Sequence, residues 1–243
     1  MTISIIPLPC GREIMEDDDL ADLVLDASPA LRDGDIVVVT HKAVGKSEGR
    51  IVDLGEVQPS ARAVEVAADH SDPRLVEVIL RESRRILRQR GALLVVETHH
   101  GLVCANAGVD RSNAPRPDCV VLLPTDPDAS ARRLRQALEL RTRTRVGVIV
   151  ADTMGRAWRD GIVGTAIGAS GLETLRQLVG AVDPNGYELA STVVAIADEL
   201  AAAANLAFGK LERVPFVLIR GYAAPGDGSA QQMIRPPERD LFR

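Results

Sequence analysis

The sequence predicts an α+β fold in which mixed sheets carry flanking helices, arranged as two closely joined lobes. Three observations lead there. Short β-branched runs recur at residues 3–6, 35–40, 92–97, 119–123, 146–151 and 215–220, and runs of this kind suit packed strands. Segments of helical character fall between them. The two kinds of element mix without a regular βαβ rhythm.

Each element has a local reason. Residues 1–7 hold no basic region and only a short apolar run, so they read as a strand and not as a signal peptide. Residues 18–27 place leucines at 20, 23 and 25, a helical pattern. Residues 36–39 and 146–150 are almost continuously apolar, as strands covered on both faces are. A helix over 73–87 opens on Pro73, where a missing N–H costs nothing. A second, over 127–143, follows Asp126, a good cap. A third, over 189–206, is rich in alanine, the best helix former. The arginine runs at 81–90 and 132–145 fall at helical spacing and read as solvated helix faces. Residues 98–117 and 153–161 read as loops, and a connection as long as the first is commonly functional. Residues 223–229, with Pro225-Gly226-Asp227-Gly228, read as a surface turn or lid.

The bulk numbers narrow the function classes. At 243 residues the chain suits one large domain or two small lobes. It is 46% hydrophobic and 26% charged, as a packed globular protein is. A net charge of −5 argues against a nucleic-acid binder, and three Phe, two Tyr and one Trp leave little for base stacking. Cys10, Cys104 and Cys119 are scattered, without CxxC spacing, so neither a zinc ribbon nor a disulfide framework is indicated. A reducing cytoplasm is the expected setting. No apolar stretch approaches the roughly 20 residues that span a bilayer.

Two glycine-rich segments carry metal-ligand chemistry. One is Asn106-Ala107-Gly108-Val109-Asp110-Arg111-Ser112-Asn113, and the other is Asp152-Thr153-Met154-Gly155-Arg156-Ala157-Trp158-Arg159-Asp160-Gly161. Asp152 is expected just past a buried strand, where α/β proteins bind ligands, or it caps the following turn. Asp110 offers a second carboxylate, or an Asx turn. Together with the Thr153 hydroxyl they suit a hard cation bridging phosphate oxygens. Arg156 and Arg159 flank the sole tryptophan, and their forks match phosphate or carboxylate oxygens. Gly45-Lys46-Ser47 tempts a P-loop reading, but Thr40 stands where that motif needs glycine. Lys46 is then a point charge for a phosphate or a solvated loop lysine. His41 follows a strand and can share a crevice with Lys46. His99 and His100 are adjacent at a strand end and point to opposite faces. His70 reads as surface. Glu212 is a third acid or part of a charged turn.

These segments resemble the coenzyme F420:L-glutamate ligase family, also called F420-0:gamma-glutamyl ligase. The resemblance rests on Leu8-Pro9-Cys10-Gly11, on His41-Lys42-Ala43-Val44-Gly45-Lys46-Ser47-Glu48-Gly49-Arg50, on residues 101–115 and 152–171, and more loosely on 197–220. It covers essentially the whole chain. It implies a single ligase domain over 1–243 with the family's fold, without the nitroreductase-like domain that some relatives fuse to it. It also implies a cytoplasmic homodimer with no nucleic-acid or membrane partner. The implied reaction is GTP-dependent. GTP phosphorylates the phospholactate carboxylate of coenzyme F420-0, and L-glutamate attacks the acyl phosphate. Further glutamates join through γ-carboxylates. Positioning and charge neutralisation do most of such work.

Carried over by position, Asp110, Asp152, Thr153 and Glu212 are the implied ligands of Mg2+ or Mn2+, taken as two ions with room for K+. Leu8, Pro9, Cys10, Gly11, His41, Lys46, Asn113, Gly209 and Lys210 are the implied nucleotide contacts. Arg156 and Arg159 join Asp110 and Asp152 as catalytic candidates, from their chemistry alone. Cys10 and Gly11 stand where members often carry glycine and an aliphatic residue, and Gly164 and Thr165 replace a more polar pair. Two rival readings stay open: a ligase on the same scaffold for another phosphorylated acid, and a non-catalytic nucleotide- or metal-binding regulator.

Overall fold

The computed structural model describes residues 2–209 and 212–241. The elements begin with β1 (Ser4–Leu8), α1 (Leu20–Ala27), β2 (Ile36–Thr40), α2 (His41–Ser47), β3 (Ile51–Asp53), α3 (Ala61–Ala67) and α4 (Pro73–Arg81). Next come β4 (Ser83–Arg90), β5 (Leu93–Thr98), β6 (Val103–Ala105), β7 (Cys119–Val121) and α5 (Pro127–Thr142). The chain continues with β8 (Gly147–Arg156), β9 (Arg159–Ser170), β10 (Arg176–Gln177), β11 (Val193–Val194), α6 (Ile196–Phe208) and β12 (Phe216–Arg220). Short 3-10 turns punctuate the connections.

The main sheet runs β1-β12-β2-β8-β9. Only β2 and β8 pair in parallel, so the sheet is mixed, as expected. Strand side chains alternate between faces, and here both faces are dry. Val37, Val39, Val148, Val150, Phe216 and Leu218 meet Val24 of α1 and Leu134 and Leu138 of α5. Ile36, Val38, Ile149, Val217 and Ile219 meet Ile196, Leu200 and Ala204 of α6. Each such aliphatic contributes roughly 1.5–3 kcal/mol on full burial, which accounts for the unbroken apolar runs in β2 and β8. Alanines and glycines let the helices approach. A Cβ at Gly164 would lie 2.3 Å from the Ala201 carbonyl of α6, and one at Gly168 would lie 2.3 Å from the Pro127 carbonyl of α5. At the sheet end Arg220 donates to both carboxylate oxygens of buried Asp35, at 2.9 and 2.6 Å.

A smaller lobe forms around Ala63, Val76, Ile79, Leu94 and Val96, where α3 and α4 cover the antiparallel sheet β4-β5-β6. The β3–β7 pair packs against it through Leu54, Val78, Val120 and Leu122. Among the described residues no helix is long and apolar enough to cross a membrane.

Several local expectations need correction. The helix expected over 73–87 stops at Arg81, and Ser83–Arg90 is a strand. Its arginines therefore lie on a sheet, with Ile86 opposite Val96. Local helix preference gave way to cross-strand pairing. The helix expected from 189 begins at Ile196, because β11 is tied to β10 and the Leu189 N–H donates to the Ala181 carbonyl. Residues 98–117 contain β6 and a 3-10 turn. Residues 153–161 are no loop: β8 runs through Asp152 and pairs with β9, with Thr153 opposite Gly164. His99 and His100 lie in the turn after β5 and bond to the Arg81 and Pro124 carbonyls. Residues 223–229 form a surface turn, as expected, with Asp227 bound by Arg135 and by the Gly171 N–H.

Candidate active site

The site grows from the parallel pair β2–β8. Its register places Thr40 opposite Ala151, so His41, which opens α2, stands beside Asp152, which continues in β8. Thr40 is the N-cap of α2, accepting from the Ala43 N–H. The expected loop after β2 is thus a helix, and it presents His41, Lys42 and Lys46. Gly45 is required by packing, since a Cβ there would lie 2.6 Å from the Leu122 carbonyl. No P-loop is needed to explain it.

Each of these three side chains meets an acid from elsewhere. His41 Nδ1 lies 3.1 Å from Asp152 Oδ1. Its Nε2 is buried and has no hydrogen-bond partner among the described residues. Asp152 Oδ1 also accepts from the Thr153 N–H at 2.6 Å. Lys42 Nζ lies 2.7 Å from Asp110 Oδ2 and donates to Ser112 Oγ at 2.6 Å. Lys46, only 6% exposed, forms a close ion pair with Glu13. Its reading as a solvated loop lysine is thereby excluded.

Asp110 is fixed by two backbone hydrogen bonds with Val121, and its Oδ1 accepts from the Ser112 N–H. Burial raises its pKa, but the bonds from Lys42 and Ser112 outweigh burial and hold the carboxyl below its ordinary value. Cys104 feels the site from behind. Burial, with the Asp152 charge adding, pushes its thiol up to about 12.

A cavity of about 440 Å³ opens here, within the range of small-molecule sites. Of the sequence-derived candidates, Cys10, His41, Lys46 and Asn113 line it, as do Asp152, Thr153 and Gly209. Segments 101–115 and 152–161 therefore do converge with Lys46. Asp110 stands one layer back, behind Lys42. Leu8 is a fully buried core residue, and Pro9 and Gly11 are exposed outside the cavity wall. Glu212 lies against Gly209, where its carboxylate occupies the space of an absent Cβ. Arg156 and Arg159 face each other at the exposed tip of the β8–β9 hairpin, beside Trp158, and do not reach the wall. Lys210 lies outside the described residues.

Sequence reasoning missed Glu13, Arg12, Lys42, Asn205 and Arg213, all on the wall. Lys42 carried a signal. Once Thr40 is recognised as a helix cap, His41, Lys42 and Lys46 belong to one short helix beginning at the end of the central strand.

The oxygen donors Asp110, Asp152 and Thr153 are hard, as Mg2+ and Mn2+ require. Among the described residues no group of three His, Cys, Asp or Glu side chains is gathered to hold an ion. Lys42 holds Asp110 and has to yield for metal to bind there, whereas His41 and the Thr153 N–H both engage Asp152 Oδ1 and can stay while that carboxylate offers its other oxygen. The donor chemistry fits such an ion on that condition.

The sequence is similar to those of known proteins. The family model described as F420-0:Gamma-glutamyl ligase matches residues 11–221. A coenzyme F420:L-glutamate ligase of Methanopyrus kandleri is 45% identical over 249 positions, spanning 100% of this chain and 98% of the relative. One of Methanocaldococcus jannaschii is 43% identical, with 94% and 91% of the two chains covered. One of Methanothermobacter thermautotrophicus is 42% identical across 100% of both. With a family match over most of its length and relatives that align end to end, this chain belongs to the F420-0:gamma-glutamyl ligase family.

Proposed function

We propose that the chain joins L-glutamate to the phospholactate carboxylate of coenzyme F420-0, at the expense of GTP and with a divalent cation, and extends the tail through γ-linkages. The observation that carries this reading is the convergence on one cavity of Lys46, Lys42 and Asp152, with Asp110 directly behind. Phosphoryl transfer to a carboxylate needs that mixture of cations and metal-binding acids. The names of the relatives supply coenzyme F420 and L-glutamate, and GTP comes from the family reading.

In the reading we favour, the acceptor carboxylate attacks the γ-phosphorus of GTP, and GDP leaves. The glutamate amine then attacks the acyl carbon. Inorganic phosphate departs and the amine proton is lost. Lys46 and Lys42 neutralise phosphate oxygens. Asp110, Asp152 and Thr153 would hold Mg2+ or Mn2+, which when bound offsets the charge of the transferring phosphoryl group. Glu212 and K+ are further assignments of the family reading, as is a cytoplasmic homodimer. Arg156 and Arg159 reach the acceptor only if the hairpin tip approaches the cavity in the complex.

The test is a mass measurement. Protein is incubated with F420-0, L-glutamate, Mg2+ or Mn2+, and either GTP or ATP. A product heavier by a glutamyl residue, formed with GTP, supports the reading. Folded protein that yields none rejects it. Asp110→Asn and Asp152→Asn should each lower turnover at least about 100-fold, as loss of a metal-held phosphoryl group would, with little change in melting temperature. Full activity in both variants would remove these residues from the metal site.

A further inference from the structure

Two ion pairs at the cavity stand where ligands are expected. The Lys42 ammonium, with its side chain 15% exposed, holds Asp110 at 2.7 Å and Ser112 Oγ at 2.6 Å. The buried Lys46 ammonium is held by Glu13, whose side chain is 44% exposed. Breaking a sheltered pair by removing one partner leaves the other charge uncompensated, which is costly.

That cost falls unequally on single and joint binding. A divalent cation arriving alone at Asp110 displaces Lys42 and leaves its ammonium without a counter-ion. A triphosphate arriving alone at Lys46 sends the half-exposed Glu13 to solvent but finds Lys42 still committed to Asp110, so that ammonium cannot neutralise a phosphate oxygen. When both arrive, Asp110 turns to the cation, Lys42 turns to a phosphate oxygen, and Glu13 swings to solvent. No charge is stranded.

We infer that Lys42 and Glu13 are placeholders, a lysine occupying the cation's acid and a carboxylate occupying the phosphate's lysine. Because of them, each ligand binds weakly alone and strongly with the other. This inference rests on the proposed role of Asp110 as a metal ligand. Coupling of this kind is reciprocal, so relieving Lys42 should free the cation from its need for nucleotide, and relieving Glu13 should remove a competitor for Lys46.

The experiment uses the intact chain. Mn2+ binding without nucleotide is followed by the electron paramagnetic resonance of the free ion. Binding of a non-hydrolysable GTP analogue in excess chelator is followed by calorimetry. Lys42→Gln should bind Mn2+ alone about tenfold more tightly than wild type, and Glu13→Gln should bind metal-free analogue about tenfold more tightly, within the usual range of coupling factors. Lys42→Met, which keeps the aliphatic stem, repeats the first arm should the glutamine variant not fold. Two charge-matched controls remove a charge outside the two ion pairs: Arg111→Gln, exposed and next to Asp110 in the chain, and exposed Glu16→Gln. Each should change affinity far less. If Lys42→Gln and Lys42→Met bind Mn2+ no better than wild type, or no better than Arg111→Gln, the placeholder inference is overturned. Asp110→Asn with analogue present separates the two levels. Loss of Mn2+ binding there keeps the metal assignment whatever befalls the placeholders, and retained binding removes both.

Discussion

His41 Nδ1 lies 3.1 Å from Asp152 Oδ1, while Nε2 of the same ring is buried without a partner among the described residues. A histidine that spends one nitrogen on a carboxylate fixes that carboxylate's direction. Asparagine can keep a donor near the Nδ1 position, whereas alanine keeps none. His41→Asn should therefore retain glutamylation kcat/KM within about tenfold of wild type, and His41→Ala should lose about 100-fold, the upper range for residues that orient metal ligands. Steady-state kinetics decide. Equal losses in both variants would assign the main role to Nε2 and not to the hold on Asp152.

Gly164 is a packing requirement as well as part of the cavity wall. A Cβ there meets the Ala201 carbonyl at 2.3 Å and the Asn205 side chain at 3.0 Å. Backbone oxygen cannot rotate away as a side chain can. Gly164→Ala should lower unfolding free energy by about 1–3 kcal/mol, the usual cost of overpacking, read as a shift in urea midpoint. An unchanged midpoint would mean that α6 slides without penalty.

The three thiols should separate cleanly by alkylation. Cys10 is half-buried on the cavity wall, Cys119 is fully buried, and Cys104 is buried with its thiol held protonated up to about 12. Only the thiolate reacts readily. Iodoacetamide at pH 8 should label Cys10, with Cys104 and Cys119 reacting only after denaturation. Nucleotide with metal should slow the labelling of Cys10. Peptide mass spectrometry reads all three sites, and undiminished labelling at saturating nucleotide would place the ligand away from Cys10.

Glu77 ties α4 to the start of α3. The Ser60 hydroxyl and the Ser60 N–H, joined by Arg81, hold its carboxyl down at about 2, against an ordinary value of 4.5. A depressed folded-state value means that the ionised form stabilises the fold. Its contribution is complete above pH 4.5 and is lost as pH falls toward 2. Glu77→Gln should be less stable than wild type at pH 7, with the difference shrinking through that acid window. Melting temperatures of the two proteins across pH 2–7 check this, and a constant difference would assign the effect to packing.

The main sheet was legible because its signal is local. Residues 36–39 and 146–150 announce two-sided burial by composition alone, and Asp126 announces the start of α5, where its carboxylate accepts from the Ala129 N–H. The segment after Arg81 was misread for the opposite reason. Arginine, leucine and glutamine favour a helix in isolation, and only β5, reached through a turn with Gly91 at φ +57°, supplies the partner that makes it a strand. The β8–β9 hairpin hid in the same way behind Gly155 and Gly161.

The site divides along the same line. Composition and motif named Asp110, Asp152, Thr153, Lys46 and His41, since residue chemistry is written in the chain. That Lys42 guards Asp110, that Glu13 closes Lys46, and that Arg156 and Arg159 stand apart at a hairpin tip were decided by tertiary structure. Ion pairs and cavities join residues distant in sequence, and no local periodicity encodes which of two available acids a lysine will meet.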